Sequence, residues 1–258
     1  MSVSTLQPLF KKELYEQYRT YRFFIALVIF LFLGISAPVI TKLTPDLLKS
    51  LGGGIQITLP PQTATDALNS YLKNMTQLPS LVLILLAMGC IADERSRGTA
   101  VTVLTKPVPR SVFVVAKFLA YELTLLASLL LAAAGAYSYT RQLFEALPLG
   151  AFLLLNLGLF IFLTLPLAFT IFASALFRSS IAAGGLAFGG FLALALFPTL
   201  NSTVTQALPS VLFRAERVAQ LLAGTAPPGD ILKPIVIGLG LALGLIMLAC
   251  IVFQHQEI

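Results

Sequence analysis

Six long apolar runs, separated by polar or charged stretches, dominate the chain; their approximate limits are residues 22–40, 78–92, 112–138, 148–174, 181–199 and 234–253. Each run is continuous rather than alternating. The pattern therefore predicts helices that cross a bilayer, not the short two-faced strands of a barrel. Ahead of the first run, Leu6, Phe10, Leu14, Tyr18 and Tyr21 recur at steps of three to four, with Lys11, Lys12, Glu13, Glu16 and Arg19 between them. That spacing predicts an amphipathic helix over residues 5–21. Its aromatic and basic residues suit the membrane interface, with an ordinary solvated helix as the alternative.

Pro38 marks the expected outer end of the first span. Beyond it, helical patterns over Pro45–Leu51 and Thr65–Met75 are separated by Gly52-Gly53-Gly54 and Pro60-Pro61, which forbid one continuous helix through this region. The second run is short, so its helix either extends beyond the membrane or dips its polar end into the interface. Pro166 predicts a kink in the fourth span. A second long polar segment, 200–233, holds an amphipathic piece from Val211 to Leu222. The expected class is an all-α integral membrane protein, with one transmembrane domain over residues 1–258.

Composition sharpens this picture. The chain is 57% hydrophobic and 11% charged, with a mean hydropathy of +0.91; a soluble domain is about 25% charged. Six spans place both termini on one side. The segments on that side hold ten Lys/Arg in 59 residues, against seven in 80 on the other. By the positive-inside rule both termini are expected in the cytoplasm, with the chain in the plasma (inner) membrane. No cleaved signal is expected, because the first run is long and no Ala-x-Ala site closes it. The net charge is +6. Its basic residues flank apolar runs, so membrane lipid headgroups rather than nucleic acid are the expected partners. Cys90 and Cys250 lie in apolar runs without Cys-x-x-Cys spacing and read as small buried residues.

The chain contains no Gly-x-x-x-x-Gly-Lys-Ser/Thr phosphate loop, no His-Glu-x-x-His and no Gly-x-Ser-x-Gly; its one histidine is His255. No catalytic residue, bound cofactor or metal site is expected, and any ATP hydrolysis has to come from elsewhere. Glu122 is the ionisable residue well inside an apolar run. It suggests either an intramembrane proton or substrate contact or a structural polar contact, with Lys117 as a partner. Asn156 and Thr164 are weaker candidates for a polar lining. Gly185-x-x-x-Gly189 and Gly240-x-x-x-Gly244 suit close helix approach, either within the bundle or between subunits.

The most charged stretch between two spans is 92–111, with Asp93, Glu94, Arg95, Arg97, Lys106 and Arg110. Gly98-Thr99 can open a short helix, Ala100 to Thr105, with Thr99 as its N-cap; Pro107 and Pro109 stop it. Such a helix can act as a lever seated in a soluble partner, the alternative being a plain charged loop.

Around this loop the sequence resembles the permease subunits of ABC-2-type transporters, of the group that includes copper-processing and gliding-motility permeases. The resemblance rests on Glu94, Gly98-Thr99, Val101 to Leu104, Pro107 to Arg110, and Lys117, together with the leading amphipathic helix and the six-span layout. It implies a permease paired with a second, identical or related permease and with two copies of a separate ATPase that carries ATP and Mg. It further implies that Glu94, Arg95, Arg97, Gly98, Thr99, Val101, Leu104, Pro107 and Arg110 form the ATPase-coupling element of an exporter. A proton-driven secondary transporter using Glu122 and a non-transporting membrane scaffold are the rival readings.

Overall fold

A computed structural model describes residues 3–51, 61–99, 109–200 and 208–256. Among these the chain is helical throughout, with no strand. The N-terminal helix α1 spans Val3–Arg19. Tyr21 then adopts a left-handed backbone (φ 60°), so α1 does not run straight into the first span. A non-glycine residue there is sterically costly, and the chain accepts it at the corner that turns α1 away from α2.

The helix α2 covers Arg22–Leu51 and passes through both Pro38 and Pro45. The sequence pattern ended the first span at Pro38 and made 45–51 a separate helix; the structure corrects both points. Each proline removes one backbone donor, while leaving the helix in an apolar medium exposes several polar groups. Continuation is the cheaper outcome.

After Pro60-Pro61, Thr63 opens α3, Ala64–Ala87, through a capping box with Asp66. The 65–75 pattern and the second run are thus one helix, which explains why that run looked short. A four-residue break leads to the one-turn helix α4, Ala92–Ser96. The remaining long helices are α5, Arg110–Leu143, α6, Leu149–Leu176, and α7, Ser180–Leu200. A 3₁₀ segment, Pro209–Phe213, and the helix α8, Ala215–Leu222, divide the predicted amphipathic piece. The last helix, α9, is Pro228–Gln254.

Among the described residues, five stretches are long and apolar enough to cross a membrane: α2, α3 with α4, α5, α6 and α9; the apolar part of α7, Ser180–Leu196, is shorter. The most apolar stretch of α6 is 72% buried, against 22% for α9 and 33% for α2, so α6 is the centre of the bundle. The helices α3, α7 and α9 pack around it, and α5 bridges α6 to α2. At the α2–α5 contact a Cβ added to Gly34 would lie 2.5 Å from the Ala132 carbonyl oxygen, so glycine sets how closely the two backbones approach. The helix α1 lies against α5, with Tyr15, Tyr18 and Tyr21 exposed.

Candidate coupling site

The helix α5 begins at Arg110, and Lys117 comes two turns later on the face turned toward α1. Its side chain is 1% exposed. Burial of an ammonium is costly unless it is paired, and Lys117 is paired twice, to Glu13 Oε2 and to Glu94 Oε1, each at 2.8 Å. Lys12 lies 3.0 Å from the same Glu94 oxygen, 2.9 Å from Glu13 Oε1 and 3.2 Å from Glu16 Oε2. Two lysines and three glutamates thus join α1, α4 and α5. The carboxylates of Glu13, Glu16 and Glu94 come within 4.8 Å of one another. The two ammonium groups already lie among them, in the place a cation would take.

Burial pulls the Lys12 pKa down and the neighbouring Lys117 charge adds to this, but Glu13 and Glu94 outweigh both and the net shift is upward. Lys117 also sits 4.8 Å above the Phe113 ring, a cation–π contact. Phe113 stacks on Phe253 of α9 at 5.4 Å.

A cavity of about 450 Å³ opens beside this cluster, with Arg22, Asp93, Arg97 and Tyr121 among its walls. Glu94 Oε2 and Gln17 Nε2 are buried there without a hydrogen-bond partner. The Tyr121 hydroxyl accepts from Arg22 (3.0 Å) and donates to the Leu86 carbonyl (3.0 Å). The Thr124 hydroxyl donates to Gln17 Oε1. These bonds hold α1 and the start of α2 onto α5 and the end of α3.

The loop side of the cluster is fastened to α6. Ser174 Oγ accepts the backbone N–H groups of Ile91 and Ala92, each at 3.0 Å. Arg95 donates to the Ala175 carbonyl at 3.1 Å, placing a cation on an unpaired acceptor at the C-terminal end of α6. Asp93 lies over Gly89, where an added Cβ would overlap its carboxylate. Gly98 has φ +70° and closes α4 with its N–H on the Arg95 carbonyl. The Thr99 hydroxyl donates to the Glu94 carbonyl at 3.2 Å. The expected lever, residues 100–105 with Val101 and Leu104, lies outside the described residues, as does Pro107. On the far side of the loop, Arg110 donates to the carbonyls of Gln254 (2.9 Å) and Gln256 (2.8 Å).

Of the residues singled out from the sequence, Glu94, Arg95 and Lys117 fall in or beside this cluster, Arg97 lines its cavity, and Arg110 lies apart on the C-terminal tail. The three intramembrane polar candidates are separated. Lys117 does not pair with Glu122: five residues apart on a helix, they point to different faces. Glu122 instead accepts from the Thr164 hydroxyl at 3.2 Å. Asn156 accepts from the Tyr71 hydroxyl at 2.6 Å, in the core. From the sequence Lys12, Glu13 and Glu16 are only the polar face of α1, and Gln17 carries no signal of its own. The available signal was Lys117 itself, a cation at an otherwise apolar stretch of α5 that demands a carboxylate partner.

The glycine pairs are also placed. Among the described residues, Gly185, Gly189, Gly240 and Gly244 have no atom within 4 Å of an added Cβ, so none of the four makes a close helix contact there. Gly184 against Met88 and Gly190 against Phe169 do that work instead.

A bundle of long apolar helices with one polar, ion-paired end defines a multi-pass membrane protein. The ABC-2 family transporter protein model matches residues 7–258, and the chain belongs to that family. Membership supports its assignment as the membrane-embedded permease component of an ABC transporter. A relative in Bacillus subtilis (strain 168), the uncharacterized transmembrane protein YxlG, is 23% identical over 227 residues, covering 83% of this chain and 88% of its own.

Proposed function

We propose that this chain is the permease subunit of an ATP-driven exporter, powered by a separate ATPase that docks at the 93–110 loop. Two ATPase copies, each with ATP and Mg, act on two permeases, identical or related. The complex sits in the plasma (inner) membrane with the permease termini and the loop in the cytoplasm. The observation that carries this reading is the Glu13–Lys117–Glu94 cluster. A push on the loop at Glu94 reaches α5 directly through Lys117, and reaches α1 through Glu13 and Lys12, with no slack side chain between. Arg95 and Ser174 pass the same displacement to α6, the centre of the bundle. Packed bundles respond to such displacements by moving whole helices rather than by local give.

The test is co-purification and coupled turnover. An ATPase bearing a phosphate loop should co-purify with the parent chain. Glu94→Ala and Gly98→Pro should insert normally into the membrane, yet lose transport while ATP hydrolysis continues. Unchanged transport in both variants would refute the lever role. Transport that proceeds without any ATPase and is abolished by Glu122→Gln would establish the proton-driven alternative instead.

A further inference from the structure

A second cavity, of about 430 Å³, lies between α1, α5 and α6, with Leu6, Phe10, Leu123, Leu126 and Phe160 among its walls and Glu122 as the one carboxylate. Leu123 and Leu126 are 42% and 38% exposed on a helix that crosses the membrane, so the cavity opens sideways to lipid. Its volume is that of an ordinary small-ligand site.

The carboxylate of Glu122 is under-satisfied. Its Oε1 is buried with no hydrogen-bond partner. Its Oε2 accepts from Thr164, whose single hydroxyl proton is shared with the closer Phe160 carbonyl, 3.0 Å against 3.2 Å. The nearby ammonium groups are engaged elsewhere: Lys117 and Lys12 are committed to Glu13, Glu16 and Glu94. Gln7, the other polar residue on the wall, does not bond the Glu122 carboxylate either, so Oε1 is left without a donor beside an apolar pocket. Glu122 lies five residues beyond Lys117, about 7.5 Å along the helix axis. That is a depth a lipid headgroup reaches where an amphipathic helix lies in the interface.

We propose that this cavity binds an amine-headed phospholipid, its primary ammonium on the Glu122 carboxylate and its acyl chains against Leu123, Leu126 and Phe160. A primary ammonium brings three N–H donors and a positive charge. A choline head brings the charge without a donor, and a glycerol head brings donors on an anionic lipid that Glu122 repels. The inference goes beyond the coupling reading and does not depend on it.

The test uses the absence of tryptophan from the chain. Leu130→Trp places one fluorophore on the exposed face of α5, about 12 Å beyond Glu122, level with the middle of a bound acyl chain. The full chain is reconstituted in phosphatidylcholine vesicles containing phosphatidylethanolamine, phosphatidylcholine or phosphatidylglycerol brominated at mid-chain. Brominated phosphatidylethanolamine should quench at about tenfold lower mole fraction than the other two. Glu122→Gln should abolish that preference, and Glu122→Asp should keep part of it. Native mass spectrometry of the chain without the tryptophan should retain phosphatidylethanolamine over phosphatidylcholine with the same dependence on Glu122. Equal quenching by all three lipids, or a preference that survives Glu122→Gln, overturns the proposal. Binding of dodecylammonium without any preference for phosphatidylethanolamine also overturns it, assigning the pocket to soluble lipophilic amines.

Discussion

Lys117 Nζ and Glu94 Oε1 meet at 2.8 Å, joining a buried position two turns into α5 to the short helix that follows α3. The pair is one edge of a larger cluster, so removing either residue leaves charges behind. Lys117→Met strands Glu13 and Glu94 beside each other, with only the half-exposed Lys12 to offset them. A loss of about 3 kcal/mol is expected, visible as a lower thermal midpoint in detergent. Lys12→Met, at a side chain 40% exposed, should cost less than about 1 kcal/mol. Equal losses in the two variants would contradict this ranking.

Gly98 occupies φ +70°, and among the described residues no atom lies within 4 Å of an added Cβ. Gly98→Ala meets no described neighbour and costs backbone strain of about 1–2 kcal/mol, while Gly98→Pro cannot adopt that φ at all. Coupled ATPase and transport assays should rank the parent above Gly98→Ala and Gly98→Pro last, with membrane insertion unchanged throughout. Full coupling in Gly98→Pro would show that the turn is dispensable.

Gly34→Val drives a side chain into the Ala132 backbone, which has no rotamer with which to yield. Detergent unfolding should show α2 separating from α5 at clearly lower denaturant than in the parent. Gly150→Val, where an added Cβ meets nothing, is the control and should differ only by helix propensity, within about 1 kcal/mol.

The Tyr121 hydroxyl serves Arg22 and Leu86 at once. Tyr121→Phe removes it and leaves a buried carbonyl and a guanidinium short of a partner, for an expected loss of about 1–3 kcal/mol. Faster backbone hydrogen exchange near Leu86 should accompany that loss. An unaltered exchange rate there would show that water replaces the hydroxyl.

Gly240 and Gly244 face open space. If a second permease packs on this face, Gly244→Leu should leave the thermal midpoint of the isolated chain unchanged and reduce its association with that partner. Crosslinking yield in membranes measures the second effect, and an undiminished yield would place the permease contact elsewhere.

The helical class was readable from residue pattern because most of the apolar runs are continuous and near the length that spans a bilayer, although the second needed the polar stretch before it and the apolar part of α7 is shorter. Helix ends were less readable. Pro38, Pro45 and Pro79 stop helices in water, but α2 and α3 continue through them where exposed backbone is dearer than one lost hydrogen bond. The polar cluster was half legible. Glu94 and Lys117 could be picked out as charges bordering apolar runs. The second carboxylate on Lys117, Glu13, could not, because it lies about a hundred residues from Lys117 and looks like any solvated residue of an amphipathic helix. Pairing of that kind depends on how α1 folds back, which the left-handed Tyr21 decides.

The Arg110 anchor has a consequence for how the tail can vary. Its two acceptors are main-chain carbonyls of Gln254 and Gln256, groups every amino acid possesses. The identity of Gln254 is thus free to drift while the spacing is not, whereas Gln256 also donates its side-chain amide to the Leu176 carbonyl at 3.2 Å. A chain with another residue at 254 can keep the Arg110 attachment, whereas deleting His255 between the two acceptors would unhook it.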